Sequence, residues 1–208
     1  MTSAAVGSAV SDTGLRRVVD VAVALPALIL LSPVMLVLGL LVRRTTRGPA
    51  IFRQVRVGRE SRPFTIYKFR TMVDGDPEAP QVSGRADPRI TPLGHWLREH
   101  RLDELPQLVN VLRGDLTLVG PRPEVPEFVT HYTADELTLL QVRPGVLGPG
   151  AILFAEQQAG ELDEADDPAT YYVKHQLHPK LALDLAYVRS RSLRQDLCLV
   201  ARTIGVVS

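Results

Sequence analysis

From Val21 to Val42 the chain carries no ionisable side chain for 22 consecutive positions. As a helix, that run would measure about 33 Å at 1.5 Å per residue, close to the hydrocarbon thickness of a bilayer. It is too long for the apolar part of a cleaved signal, and no small-residue cleavage pattern follows it. No polar face interrupts it, which argues against the core helix of a soluble protein. Membrane insertion is the expectation, and every other reading has to be compatible with it.

Two features bear on how the run inserts. Pro33 follows Ser32 near its middle and Pro26 sits earlier; each proline removes a backbone donor and crowds the preceding turn, so a kink is expected. Arg16 and Arg17 precede the run, while Arg43, Arg44 and Arg47 follow it. Positive residues favour the cytoplasmic side, and here both ends make that claim. A helix that enters, breaks at Ser32-Pro33 and returns satisfies both flanks; an ordinary kinked spanning helix is the plainer alternative. Ser32 has no His or Lys partner nearby in sequence, so helix breaking outweighs nucleophilic catalysis as its role. Nine basic residues lie between Arg43 and Arg70, opposed only by Glu60. They suit anionic headgroups, at about 1 kcal/mol each, or a polyanionic substrate at the surface.

The remainder fits one compact domain within 208 residues. Ala50–Val57 and Pro63–Phe69 alternate as two short strands with Gly58 in their connection. Asp74–Pro88 is rich in Asp, Gly and Pro and is expected as an exposed loop. A short helix is expected over Pro92–Glu99, and another framed by Asp103 at its start and Gly114 just past its end. Gly120-Pro121-Arg122-Pro123 is a rigid turn. A helix around Ala134–Val142, a Gly/Pro-rich turn over Pro144–Gly150 and a helical tail from Lys180, with Leu193, Leu197, Val200 and Ile204 on one side, complete the chain. Glu156–Asp167 holds six acids and no base, without the oxygen-ligand spacing of a calcium loop. Cys198 is the single cysteine, which excludes an internal disulfide and a cysteine zinc site and fits a reducing, cytosol-facing environment. The net charge of +1 argues neither for nor against nucleic acid.

The chemistry concentrates between Arg98 and Arg122. Asp103 alone reads as a helix N-cap, with Pro106 in the first turn. A carboxylate there would also lie at the positive end of the helix dipole, which favours its ionised form, beside amides able to hold phosphate oxygens. Such an anion is suited to attack phosphorus and form an acyl phosphate. Glu104 next to it can hold a magnesium ion that bridges a diphosphate. Arg98, about a turn upstream, and Arg122, between two prolines, carry the group best suited to grip phosphate. The five histidines form no HExxH pattern and read as surface or structural, and no Walker A or Rossmann glycine pattern occurs.

With these residues in view, the chain closely resembles the bacterial sugar transferase family, the small monotopic phosphoglycosyl transferases. The matching pieces occur in order: Ser32-Pro33 in the apolar run, Gly48-Pro49-Ala50-Ile51-Phe52, and Tyr67-Lys68-Phe69-Arg70-Thr71-Met72. Leu102-Asp103-Glu104-Leu105-Pro106-Gln107-Leu108, Gly120-Pro121-Arg122-Pro123 and Arg143-Pro144-Gly145 follow. The Asp-Glu-Leu-Pro-Gln-Leu and Gly-Pro-Arg-Pro blocks together are highly specific. One departure stands out: many relatives continue Arg-Pro-Gly with Thr-Gly-Trp-Ala-Gln, whereas Val146-Leu147-Gly148-Pro149-Gly150-Ala151 stands here.

The resemblance implies an α+β, mostly helical, monotopic membrane protein. Residues 15–47 would form a re-entrant membrane helix hairpin and 48–208 a cytosol-facing catalytic domain with interfacial helices, at the cytoplasmic face of the bacterial inner membrane. It implies transfer of a sugar 1-phosphate from a UDP-sugar to polyprenyl (undecaprenyl) phosphate, with UMP released and a phosphosugar held on Asp103. This would begin assembly of exopolysaccharide, O-antigen or another glycoconjugate. Glu104 matches the Mg2+-binding partner, Arg98 and Arg122 the phosphate-contacting arginines, and Lys68 and Arg70 basic positions near the site. Lipid is an implied partner, nucleic acid is not, and homo-oligomerisation is left open. Two alternatives remain at this stage: an inactive membrane-anchored scaffold that binds nucleotide sugars, and a single-span enzyme of another class.

Overall fold

The computed structural model describes residues 14–46, 48–73, 82, 84, 86–152 and 161–203. Arg47, Ile204, most of the loop after Val73 and residues 153–160, with Glu156, lie outside them, as do the expectations placed there. Helix α1 (Gly14–Thr45) runs through both Pro26 and Pro33. Pro33 has no N–H for the carbonyl of Ile29, and the Ser32 hydroxyl donates to that oxygen instead, at 2.7 Å. The local sequence thus repairs its own missing hydrogen bond, which matters where no water can do so.

Strands β1 (Ile51–Val57) and β2 (Pro63–Phe69) form the expected antiparallel hairpin, with Ile51 opposite Phe69 and Val57 opposite Pro63. Helix α2 (Pro92–Glu99) starts where the Thr91 hydroxyl accepts the Gly94 N–H. Helix α3 (Gln107–Arg113) stops at Gly114, whose φ of 89° lies in the left-handed region. Two short strands, β3 (Thr117–Val119) and β4 (Gly145–Leu147), pair in parallel. The expected Pro144–Gly150 turn therefore contains a strand. The helix expected around Ala134–Val142 is a 3-10 turn over Glu136–Gln141. Helices α4 (Pro126–Val129), α5 (Pro168–Tyr171), α6 (His178–Ser190) and α7 (Leu193–Thr203) follow, with a π-helical stretch, Tyr172–Leu177, leading into α6.

The main core gathers Val119, Phe128, Leu139, Val142, Leu177, Leu181 and Leu185 beneath α6. Two smaller clusters bind α1 to the rest: Ala24 packs with Ile66, Val111 and Leu116, and Leu38 and Val42 pack with Phe69 and Leu97. Polar contacts reinforce the first. Asp20, buried in α1, accepts hydrogen bonds from the Thr117 hydroxyl at 2.8–2.9 Å and from the Leu118 N–H at 2.9 Å. Arg17 donates to the carbonyls of Val111 and Leu112 at the end of α3, and Arg16 pairs with Asp196 of α7. Between these anchors Leu25, Ile29, Leu30, Val34, Leu36 and Val37 stay exposed, an apolar surface of the kind that marks a contact with a membrane or a partner. The helix is long and apolar enough to cross a bilayer.

Candidate active site

Lys68 on β2, Glu104 in the 3-10 turn Leu102–Glu104 and Arg122 after β3 meet at one point. Glu104 Oε1 accepts from Arg122 Nη2 at 2.6 Å and from Lys68 Nζ at 3.2 Å. The alignment of β2 with α3 comes from Asn110. Its side chain accepts the Tyr67 N–H at 3.1 Å and donates to the Thr65 carbonyl at 2.8 Å, which fixes the strand next to Lys68. The side chains of Glu104, Lys68 and Arg122 retain 11, 18 and 25% exposure. The two cations are thus enclosed yet reachable by an incoming phosphate.

Asp103 does not cap α3. It lies in the 3-10 turn, entered through Arg101 in the left-handed region at φ 54°, and Pro106 takes the cap position with helical angles. A non-glycine residue held at positive φ is strain of order 1 kcal/mol, of the kind that gathers at functional sites. The dipole reason for an ionised Asp103 falls with the cap. Burial and then the Glu104 charge push its carboxyl above the ordinary value, while Lys68, Arg98 and Arg122 pull it down. Among the described residues no side chain donates a hydrogen bond to it. Burial alone would raise Glu104 as well, but the charges of Arg122 and Lys68 hold it well below the usual carboxylate range. Burial, with help from Arg122, brings Lys68 down to about 8.

Arg98, at the end of α2, donates from Nε to the Thr71 hydroxyl at 2.9 Å, and its charge acts on Asp103. Three cations thus surround two carboxylates. Arg70, two residues after Lys68, has its guanidinium over Gly48, where a Cβ would come within 2.6 Å of it. Ser32 and Pro33 are exposed on α1, outside the cluster. Reading the sequence missed Arg56, Glu124, Lys180 and Asp184. Arg56 donates to the Pro123 carbonyl and pairs with Glu124, which also binds Lys180 and the Tyr172 hydroxyl. One signal was available, because Glu124 directly follows Gly-Pro-Arg-Pro.

Comparison with known proteins bears on this geometry. The family described as bacterial sugar transferase matches residues 11–208. An undecaprenyl-phosphate glucose phosphotransferase of Komagataeibacter xylinus is 35% identical over 91% of this chain and 35% of its own length. An Aeromonas hydrophila UDP-N-acetylgalactosamine-undecaprenyl-phosphate N-acetylgalactosaminephosphotransferase is 35% identical over 93% of this chain and 43% of its own. A UDP-glucose:undecaprenyl-phosphate glucose-1-phosphate transferase of Caulobacter vibrioides is 37% identical, covering 91% and 68%. The chain spans less than half the length of the first two of these relatives.

Proposed function

The chain belongs to the bacterial sugar transferase family, and on that premise we propose that it moves a sugar 1-phosphate from a UDP-sugar to polyprenyl (undecaprenyl) phosphate. The substrates come from the relatives' names; the observation that carries the reading is Glu104 locked between Arg122 and Lys68 beside a buried Asp103 with no hydrogen-bonded partner among the described residues. In the first step an Asp103 oxygen attacks the β-phosphorus. The bond from that phosphorus to the bridging oxygen breaks, UMP leaves with the electron pair, and the phosphosugar stays on Asp103 as an acyl phosphate. A phosphate oxygen of the carrier then attacks the same phosphorus and frees the carboxylate. Arg122, Lys68 and Arg98 hold the phosphate oxygens where charge builds up. The product is a polyprenyl diphosphate sugar, the first lipid-linked unit of a glycoconjugate.

Magnesium fits the donor set. No group of three side-chain ligands exists among the described residues, but this ion commonly takes one or two carboxylates and completes its shell with substrate phosphate and water. Both pairing cations engage Oε1 of Glu104, so Oε2 is the oxygen that would hold it. Bound there, the ion would neutralise charge on the diphosphate.

A re-entrant α1 at the cytoplasmic face of the membrane accords with this chemistry. Both ends of α1 engage the same globular unit, Asp20 and Ala24 at one end and Leu38 and Val42 at the other. A helix that crossed the bilayer once would put those ends on opposite faces.

The test is UMP release across a panel of UDP-sugars, with magnesium and polyprenyl phosphate, by wild type and by Asp103→Asn. Wild type should release UMP and the variant should not, and mass spectrometry of donor-treated wild type should place the phosphosugar on the peptide containing Asp103. UMP formed by the variant at the wild-type rate would reject Asp103 as the nucleophile.

A further inference from the structure

A second set of buried charges lies behind Arg122, and the chemistry above does not use it. Glu124, Lys180 and Asp184 are 5, 8 and 0% exposed. Lys180 and Asp184 stand four apart on α6, so they share one face of that helix. Lys180 donates to Glu124 Oε1, which also takes the Tyr172 hydroxyl at 2.6 Å. Arg56 holds the same short stretch from the other side, through the Pro123 carbonyl at 3.1 Å and Glu124 Oε2 at 3.6 Å. Asp184 Oδ1 accepts the Gly150 N–H at 2.8 Å. The Arg122 N–H also favours its ionised form, although Oδ2 makes no hydrogen bond of normal geometry.

The two loops that α6 touches are packed without slack. A Cβ at Gly148 would stand 2.8 Å from the Cβ of Arg122, and one at Gly150 would stand 2.4 Å from the Lys180 carbonyl oxygen. The Gly120 N–H bonds Leu147 and the Gly145 N–H bonds Pro121. The stretch around Arg122 is thus held by β4 at Gly120 and Pro121, by Arg56 of β1 at Pro123, and by Lys180 of α6 at the Glu124 side chain. Core stability does not require charges there. Leu177, Leu181 and Leu185 already fill the core beside α6, and buried ion pairs seldom stabilise more than well-packed apolar residues do.

We propose that Lys180 and Asp184 are positioning residues that hold the Gly120–Glu124 loop so that the Arg122 guanidinium meets Glu104. This rests on the reading of Arg122 and Glu104 as transferase machinery. It also accounts for Gly150, since only a glycine lets the loop approach α6 so closely.

The experiment compares wild type, Lys180→Met and Asp184→Asn in detergent or nanodiscs, with UDP-glucose and UDP-N-acetylgalactosamine as donors. The Asn side chain keeps an acceptor for Gly150 but puts an NH2 where Oδ2 stood. If Lys180→Met fails to fold, this nearly isosteric variant still decides. In the variants kcat should fall about tenfold or more while KM for the donor stays within about threefold, as expected for a misplaced group that acts in the transition state. The amides of Gly120, Arg122 and Glu124 should exchange hydrogen faster, with no change in β2, and Asp184→Asn should be at least as heat-stable as wild type at neutral pH. Unchanged kcat with unchanged exchange would overturn the proposal. So would a loss of activity that follows a general loss of protection and stability. If wild type releases no UMP, the transferase reading fails on its own, and local exchange at 120–124 still decides whether α6 holds the loop.

Discussion

Asp184 is a carboxyl enclosed by the protein, and its surroundings set a measurable dependence of stability on pH. Burial pushes it up to about 6. The Gly150 N–H, the Lys180 charge and the Arg122 N–H pull it down, and Glu124 adds to the rise. In the unfolded chain an aspartate titrates near about 3.9. Between about pH 4 and 6 the folded protein therefore keeps a proton that the unfolded chain has lost, and stability falls as pH rises through that window. The full penalty, on the order of 3 kcal/mol for a shift of about two units, stands above it. Asn cannot titrate. The melting temperature of Asp184→Asn relative to wild type should therefore climb by roughly 5–10 °C between about pH 4.5 and 7.5. A difference that stays flat with pH would show that Asp184 is not held in this way.

At the scale of elements, α1 and the β3 edge depend on one buried carboxylate. Asp20 satisfies the Thr117 hydroxyl and the Leu118 N–H from a helix nearly 100 residues away in sequence. Asp20→Ala leaves those groups unpaired in a closed site and should cost about 2–3 kcal/mol, read from denaturant or thermal unfolding. Thr117→Val on its own should cost less, and adding it to Asp20→Ala should cost little more, because the two share one interaction. Fully additive losses would mean that the contact does not form. The elements also differed in how readable they were. The hairpin announced itself by alternation and by Gly58 in its connection, and α2 was expected over the residues it occupies. Strand β4 did not, because three residues rich in glycine and proline neighbours become a strand only when β3 lies alongside. The cap at Asp103 was misplaced for a similar reason: Pro106 suits a helix start, and the 3-10 turn before it is imposed by packing against α2 and β2.

For the whole molecule, the question is which side of the bilayer each end of α1 occupies. The exposed apolar surface between residues 25 and 37 suits lipid, while the flanks are tied to the same domain through Arg17, Asp20, Leu38 and Val42. Reporter tags placed before Met1 and after Ser208 should both be found in the cytosol of intact cells. In a Pro33→Ala variant the carbonyl of Ile29 can regain a backbone donor, which favours a straight spanning helix, and part of the population should place the N-terminal tag outside. Opposite faces for the two tags in the wild type would rule out the re-entrant arrangement.

The 22 uncharged residues, the two arginine flanks and the Asp-Glu and Gly-Pro-Arg-Pro blocks were enough to give a helix long and apolar enough to cross a bilayer and the family, and to single out Asp103 as the nucleophile to test. Those features are local: hydropathy, charge and short motifs are properties of neighbours in the chain. The pairing of Glu104 with Lys68 and Arg122, the contact of Arg70 with Gly48 and the charges behind Arg122 were decided only by the tertiary structure. Each depends on segments far apart in sequence whose distance is set by packing. The environment that raises Asp103 and lowers Glu104, two adjacent carboxylates of similar intrinsic acidity, exists only once three separate elements have closed around them.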